Sequence, residues 1–360
     1  MPIEKTDIET FLKLSKEFPV LDVRSPGEFI HAHFPDAHSV PLFTDVQRKI
    51  IGTAYKKQSR KIAVEIGINY FSERMKSIQK EVIKITEARR EKKTENSEAT
   101  SRQPAFLLYC WRGGMRSETV AWLLSLYGYD IYVLKGGYKT FRRWTLKQFE
   151  KEYQFKILGG YTGSGKTEVL KEIKKEGASV VDLEGLANHR GSSFGSLGQY
   201  AQPSQEMFEN LLALELSRQV NGHSVSEKTI WLEDESRHIG SVGFPQTFWK
   251  QMQNSPLYFI DIPFQERLNY IVNNYGNFDK EELTTCILNI QKRLGGLETK
   301  NALQFLGEGN VKGCFEILIR YYDKLYQNGL VKREKLPVLL NKIACNNVDQ
   351  NNARFLINTD

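Results

Sequence analysis

The octapeptide Gly160-Tyr161-Thr162-Gly163-Ser164-Gly165-Lys166-Thr167 constrains this chain more than any other feature. It fits G-x-x-x-x-G-K-[ST] without a mismatch, a pattern that works only between a strand and a helix. The flanks agree: Phe155-Lys156-Ile157-Leu158 reads as an apolar strand and Glu168 to Lys175 as a helix. Gly160, Gly163, Ser164 and Gly165 let consecutive backbone N–H groups curl around phosphate oxygens. Lys166 neutralises them, Thr167 offers a hydroxyl to Mg²⁺, and the helix start adds partial positive charge. A partner carboxylate is expected at the end of a neighbouring strand. Thr229-Ile230-Trp231-Leu232-Glu233-Asp234-Glu235 has that form, with Asp234 the candidate metal-side group beside Thr167, although the pattern leaves Glu233 open. The loop implies phosphate binding rather than hydrolysis; a nucleotide, a diphosphate ester or an RNA phosphate all fit.

A second constellation lies in the first half. Cys110-Trp111-Arg112-Gly113-Gly114-Met115-Arg116-Ser117 follows a buried strand, Ala105 to Cys110, and opens a helix predicted over 117–127 with Ser117 as N-cap. Glycine N–H groups, the helix start, Arg112 and Arg116 all favour an anion on or beside the sulfur. Cys286, Cys314 and Cys345 lack such a setting and read as structural. No C-x-x-C pair suggests zinc or a dithiol.

Strands at 19–24, 105–110 and 131–134 alternate with helices at 8–18 and 117–127, which predicts a parallel α/β sheet. A second α/β unit begins at 155, with strands near 179–183, 229–232 and 257–262, and is mostly helical after 264. The expected domains are 1–138, carrying a helical and charged insertion at 45–103, then 155–360. A basic, aromatic connecting helix at 139–154 lies between them. The end of the insertion, 87–101, reads as a mobile solvated loop. The block Asn188 to Gly195 reads as a functional loop, with His189, Arg190 and Ser192 as candidate substrate or donor contacts. Trp111 and Phe194 are candidates either for stacking on a base or for packing.

With 360 residues, 40% hydrophobic and 26% charged, the chain is expected to be globular. No apolar run approaches the ~18 residues that span a membrane, and no signal-peptide pattern opens the chain, so a cytoplasmic location is expected. The net charge of +7 suits a polyanionic partner such as RNA. Arg142-Arg143-Trp144 is the expected contact, with the helices beyond 264 as the alternative.

Leu21-Asp22-Val23-Arg24-Ser25-Pro26-Gly27-Glu28-Phe29 and His33-Phe34-Pro35-Asp36-Ala37-His38-Ser39-Val40-Pro41-Leu42 resemble the D-x-R-x-x-x-E-[FY] and G-H-I-x-G-A-x-x-[IV]-P patterns of rhodanese domains. The second pattern is departed from at Ala32 and at Pro35-Asp36. Cys-x5-Arg-Ser is also the signature of cysteine-dependent phosphatases, which usually carry a histidine before the cysteine; here it is Tyr109. A rhodanese-like cysteine phosphatase fused to a kinase-like module is therefore the alternative. The blocks 109–117, 158–167, 183–195 and 231–237 together closely resemble bacterial tRNA 2-selenouridine synthases. That resemblance implies an N-terminal rhodanese-like parallel-sheet domain plus a P-loop NTPase-like α/β domain. It further implies a tRNA partner, S-geranylation of wobble 2-thiouridine by geranyl diphosphate, and selenation by selenophosphate through a selenium-carrying Cys110. Geranyl diphosphate and selenophosphate are then co-substrates, with Mg²⁺ at the phosphate loop.

Overall fold

The computed structural model describes residues 3–94, 104–220 and 228–357. The chain divides into two compact units, Met1–Lys147 and Gln148–Asp360. In the first, strands β1 (Ile3–Thr6), β2 (Val20–Asp22), β3 (His38–Ser39), β4 (Ala105–Tyr109) and β5 (Asp130–Leu134) form one sheet in the order β1-β5-β4-β2-β3. Every neighbouring pair is parallel. Every residue of the central strand β4 is buried, as a continuous apolar run requires when both faces of a parallel sheet are covered. Leu21, Val23, Phe106, Leu108, Val120 and Leu124 share its core.

The insertion folds as two helices, Asp45–Lys57 and Arg60–Thr94. Ile78 and Val82 drive the second into the core beside β4. The expected loop at 87–101 is helical as far as Thr94, because Glu, Ala, Arg and Lys are strong helix formers; 95–103 lies outside the described residues. The helix after Cys110 runs Met115–Leu126 with Gly114 at its N-cap, so Ser117 is not the cap but sits buried in the first turn. The expected connecting helix is Gly137–Gln148 and packs on the first unit. Tyr138, Phe141 and Trp144 lie on one face at helical spacing, and Phe141 meets Phe34 at 4.8 Å between ring centroids. The aromatic residues expected to meet RNA are thus core residues: Trp144 is buried and stacks on Phe141.

The second unit holds β6 (Gln154–Gly159), β7 (Ser179–Val180), β8 (Thr229–Glu233), a short antiparallel pair β9 (His238–Ile239) and β10 (Val242–Gly243), β11 (Leu257–Asp261) and β12 (Leu340–Ala344). Its parallel sheet runs β12-β11-β6-β8-β7. The chain passes from β6 to β7 and β8 on one side, then crosses to β11 on the other. The carboxyl end of β6 is therefore a switch point, where open α/β sheets bind ligands. Strand β12 was not expected within a region read as helical. Leu340-Asn341-Lys342-Ile343-Ala344 pairs on one side only, so an edge strand carries little apolar signal. Helices Phe264–Tyr275, Lys280–Leu294, Gly296–Gly307 and Val311–Val331 form a separate core around Leu268, Ile287, Phe315 and Ile319. Cys286 and Cys314 lie within it and Cys345 in the sheet core. Burial raises all three thiols, Cys314 to about 11, in keeping with structural roles.

Candidate functional site

Cys110 follows the last residue of β4, and its loop is bound to the start of the next-but-one helix. The Cys110 carbonyl accepts from Tyr138 N at 2.8 Å and the Trp111 carbonyl from Lys139 N at 3.2 Å. This close approach requires glycine. Gly137 has φ of +58° and a Cβ there would land on the Cys110 carbonyl. Gly113, with φ of +64°, would put its Cβ 2.9 Å from Gly136 N. The cysteine is 3% exposed, and Ser117 Oγ lies 3.3 Å from its Sγ and 2.9 Å from the Gly114 carbonyl.

The two loop arginines differ. Arg112 is exposed, whereas Arg116 is half-buried and donates from Nη1 to Glu28 Oε2 at 2.8 Å. Glu28 also accepts from Ser25 N at 3.1 Å and pairs with Arg48 Nε at 3.1 Å. Burial alone would raise the Glu28 carboxyl; the Arg116 bond and charge hold it below the usual range. Asp22 and Arg24, the other members of the pattern that contains Glu28, form a fully buried ion pair at 2.6 Å. Tyr109 donates to Asp22 Oδ2 at 2.6 Å, and Arg24 reaches the Ala32 carbonyl at 2.7 Å and the Tyr138 ring at 3.8 Å. This network ties β2, β4 and the following helix together beneath the cysteine. Trp111 is 37% exposed, with its ring tilted against Tyr138 at 5.7 Å between centroids. Phe194 is 4% exposed and packs on Phe315, which removes it as a stacking candidate.

In the second unit Gly160, Gly163 and Gly165 have φ of +156°, +83° and +74°, which suits a loop whose N–H groups face inward. Lys166 Nζ rests 3.1 Å from the Gly160 carbonyl. Ser164 Oγ is buried without a hydrogen-bond partner among the described residues. Arg267 holds the loop from below, donating to the Thr162 carbonyl at 3.0 Å while pairing with Asp323 at 2.7 Å. Thr167 Oγ1 lies 3.4 Å from Glu184 Oε2. The loop lines one side of a cleft of about 1380 Å³, whose walls include Glu184, Glu235, His189, Arg190, Ser192 and Tyr275.

The expected pairing of Asp234 with Thr167 is not what the structure holds. Asp234 Oδ2 accepts from Tyr326 at 2.6 Å, and Oδ1 pairs with Arg333, so both oxygens are engaged by residues of the C-terminal region. Glu233 is buried, and its Oε2 accepts from Leu183 N at 2.9 Å. Glu184 stands beside Thr167 instead, hydrogen-bonded to Glu235. Burial first, then the neighbouring carboxylate, pushes Glu235 well above the usual range, and burial raises Glu184 as well; Lys166 opposes both shifts. Sequence reading named the blocks containing these two acids but not the acids. Their signal was slight: Glu235 lies two residues beyond Glu233, past the strand end.

No group of three or more His, Cys, Asp or Glu side chains converges as a metal shell among the described residues. Mg²⁺ needs only one or two carboxylates when phosphates supply other oxygens, and Thr167 with Glu184 fits that requirement. His189 is buried, its Nδ1 has no hydrogen-bond partner among the described residues, and burial lowers its pKa. Arg190 lies over the Tyr275 ring at 5.8 Å. Ser192 Oγ accepts from Phe194 N at 3.2 Å, shaping the turn that carries both.

A strand-end cysteine in a glycine and arginine loop, followed in the same chain by a phosphate loop at a sheet switch point, defines a rhodanese-like domain joined to a P-loop domain. Residues 7–143 match the rhodanese-like domain model, and residues 153–345 match the model described as the tRNA 2-selenouridine synthase AAA domain. The chain belongs to the tRNA 2-selenouridine synthase family. It is 34% identical to the tRNA 2-selenouridine synthase of Marinobacter nauticus, covering 92% of this chain and 93% of that one. The Pseudomonas fluorescens enzyme of that name is 34% identical over 93% of each chain, and that of Hydrogenovibrio crunogenus 33% identical over 89% of this chain and 91% of that one. No helix among the described residues is long and apolar enough to cross a membrane.

Proposed function

We propose that the protein converts 2-thiouridine at the wobble position of tRNA into 2-selenouridine, in the cytoplasm, by two group transfers. In the first, the thiouridine sulfur attacks C1 of geranyl diphosphate. A C–S bond forms, the C–O bond breaks, and diphosphate leaves with the electron pair. Lys166, the loop N–H groups and the helix start stabilise that leaving charge. Thr167 and Glu184 would hold Mg²⁺, which when bound supplies further neutralisation of the diphosphate.

Alkylation turns a poor leaving group into a good one. In the second transfer, selenium from selenophosphate, already at the selenide level and needing no redox partner, attacks C2 of the base. The C–Se bond forms, geranylthiolate departs, and hydrolysis of the Se–P bond releases phosphate. The Cys110 loop presents the selenium, with Arg112 and the glycine N–H groups facing the anion, Ser117 beside the sulfur and Arg116 fixed by Glu28. His189, Arg190 and Ser192 contact the donor or the RNA at the cleft.

The observation that carries this reading is the presence of both loops in one chain that matches enzymes of this name almost end to end. The test is mass analysis of nucleosides from 2-thiouridine-containing tRNA incubated with the protein, Mg²⁺, geranyl diphosphate and selenophosphate. The expected product is 2-selenouridine, with S-geranyl-2-thiouridine alone when selenophosphate is withheld. Unchanged 2-thiouridine with both donors present would remove the proposal. Release of phosphate from an aryl phosphate, lost in Cys110→Ala, would replace it with the phosphatase reading.

A further inference from the structure

The positive charge of this chain is concentrated in one element. Residues 45–94, the two inserted helices, contain 14 Lys and Arg against six Asp and Glu, a net of +8, whereas the whole chain has a net of +7. All other residues together are close to neutral. The helix Arg60–Thr94, at 35 residues, is about 50 Å long.

Its cations are arranged. Lys76, Lys80 and Lys84 follow at four-residue spacing, all exposed, on the side opposite the buried Ile78 and Val82. Like charges at that spacing destabilise a helix. Glu73 and Glu87 flank the stripe, yet no ion pair within the protein engages these lysines among the described residues; Arg74 takes Glu81 instead. A second group, Lys56, Lys57, Arg60 and Lys61, crowds the junction of the two helices, again exposed and without an ion pair among the described residues. Arg60 and Lys61 occupy the first turn of the long helix, which has no acid and where the helix dipole disfavours cations. Tyr55, 61% exposed, stands beside them. Lys56 and Lys57 close the last turn of Asp45–Lys57, where the dipole favours them, but the stripe and the pair Arg60 and Lys61 do not help their own helix and are better accounted for by an anion from outside.

The base of this arm meets the cysteine loop. Asp45 accepts from Gly27 N at 3.0 Å, and Arg48 shares Glu28 with Arg116. We infer that the inserted helical pair is the arm along which the RNA backbone binds, delivering the substrate nucleotide to the Cys110 loop. This rests on tRNA being the substrate. A polyanion held by such a stripe displaces counterions, so binding weakens with salt at a log–log slope of roughly minus one per phosphate neutralised.

The test compares the full-length protein with the triple variant Lys76→Glu, Lys80→Glu, Lys84→Glu in salt-titrated binding to tRNA. The variant is expected to bind at least tenfold more weakly at ~0.1 M salt, with a slope shallower by about two to three. The triple Gln variant, which cannot fail through charge repulsion, is expected to lose the same slope with a smaller loss of affinity. Circular dichroism reports whether each variant keeps its helices. Wild-type affinity and slope in both triple variants, from a protein that still makes 2-selenouridine, would overturn the arm and leave the activity standing. A wild-type protein that neither binds tRNA nor makes the nucleoside would overturn both. Preference for anionic phospholipid vesicles over tRNA would overturn the arm as an RNA site.

Discussion

At the scale of single residues, Glu235 has the more informative titration. Burial and the Glu184 charge raise its carboxyl in the folded state above the ordinary carboxylate value it takes when unfolded. The folded protein therefore holds that proton more tightly, and the stability it confers is lost as pH rises from about 4.3 through the raised value. Glu235→Gln is expected to flatten this decline and to raise the melting temperature of ligand-free protein at pH 8 by on the order of a few degrees. Calorimetry across pH 5 to 8 checks this outcome; a parallel pH dependence in the two proteins would show that Glu235 is not the titrating group.

At the scale of elements, each loop depends on glycines that the neighbouring backbone has already crowded. Gly137→Ala forces a left-handed φ of +58° on a residue with a Cβ and drives that Cβ onto the Cys110 carbonyl. The backbone conformation alone costs about 1–3 kcal/mol, and the clash shifts the cysteine loop. A lower urea midpoint together with an altered rate of Cys110 modification by a small thiol reagent is the expected outcome. The two loops were legible in the sequence because glycine spacing, strand and helix coincide there in a dozen residues. Other features were not legible for definite reasons. The helix Gly137–Gln148 was read as a connector since its Arg and Lys residues stand out, while its buried face, Tyr138, Phe141 and Trp144, needs a helical wheel and a partner to be recognised. Asp234 satisfied the strand-end rule, and only the distant Tyr326 and Arg333, 92 and 99 residues further along, engage both of its carboxylate oxygens. Glu184 beside Thr167 is likewise a tertiary meeting that local pattern does not encode.

At the scale of the whole molecule, the two group transfers proposed for the two loops predict separable defects. Cys110→Ala is expected to accumulate S-geranyl-2-thiouridine in tRNA, since the alkylating loop is intact. Lys166→Ala is expected to leave 2-thiouridine largely unmodified, slowed on the order of a hundredfold by loss of a lysine that meets the leaving diphosphate charge. Mixing the two variants should restore 2-selenouridine, at a rate that rises with protein concentration, if the alkylated tRNA leaves one molecule and binds another. Nucleoside analysis of each variant and of the mixture distinguishes these outcomes. Failure of the mixture, with each single defect as described, would mean that the alkylated intermediate never leaves the chain that made it.

The latch on Asp234 also has a bearing on how the chain is made. The first unit has its last strand, β5, by residue 134, and the domain that leaves the ribosome first can settle while the remainder is still being translated. The second cannot. Its edge strand β12 ends at Ala344, and Tyr326 and Arg333, which hold Asp234, arrive shortly before it. A ribosome that stalls beyond the first unit but before Tyr326 therefore releases a polypeptide with a finished cysteine loop and a P-loop cleft whose Asp234 is unfastened.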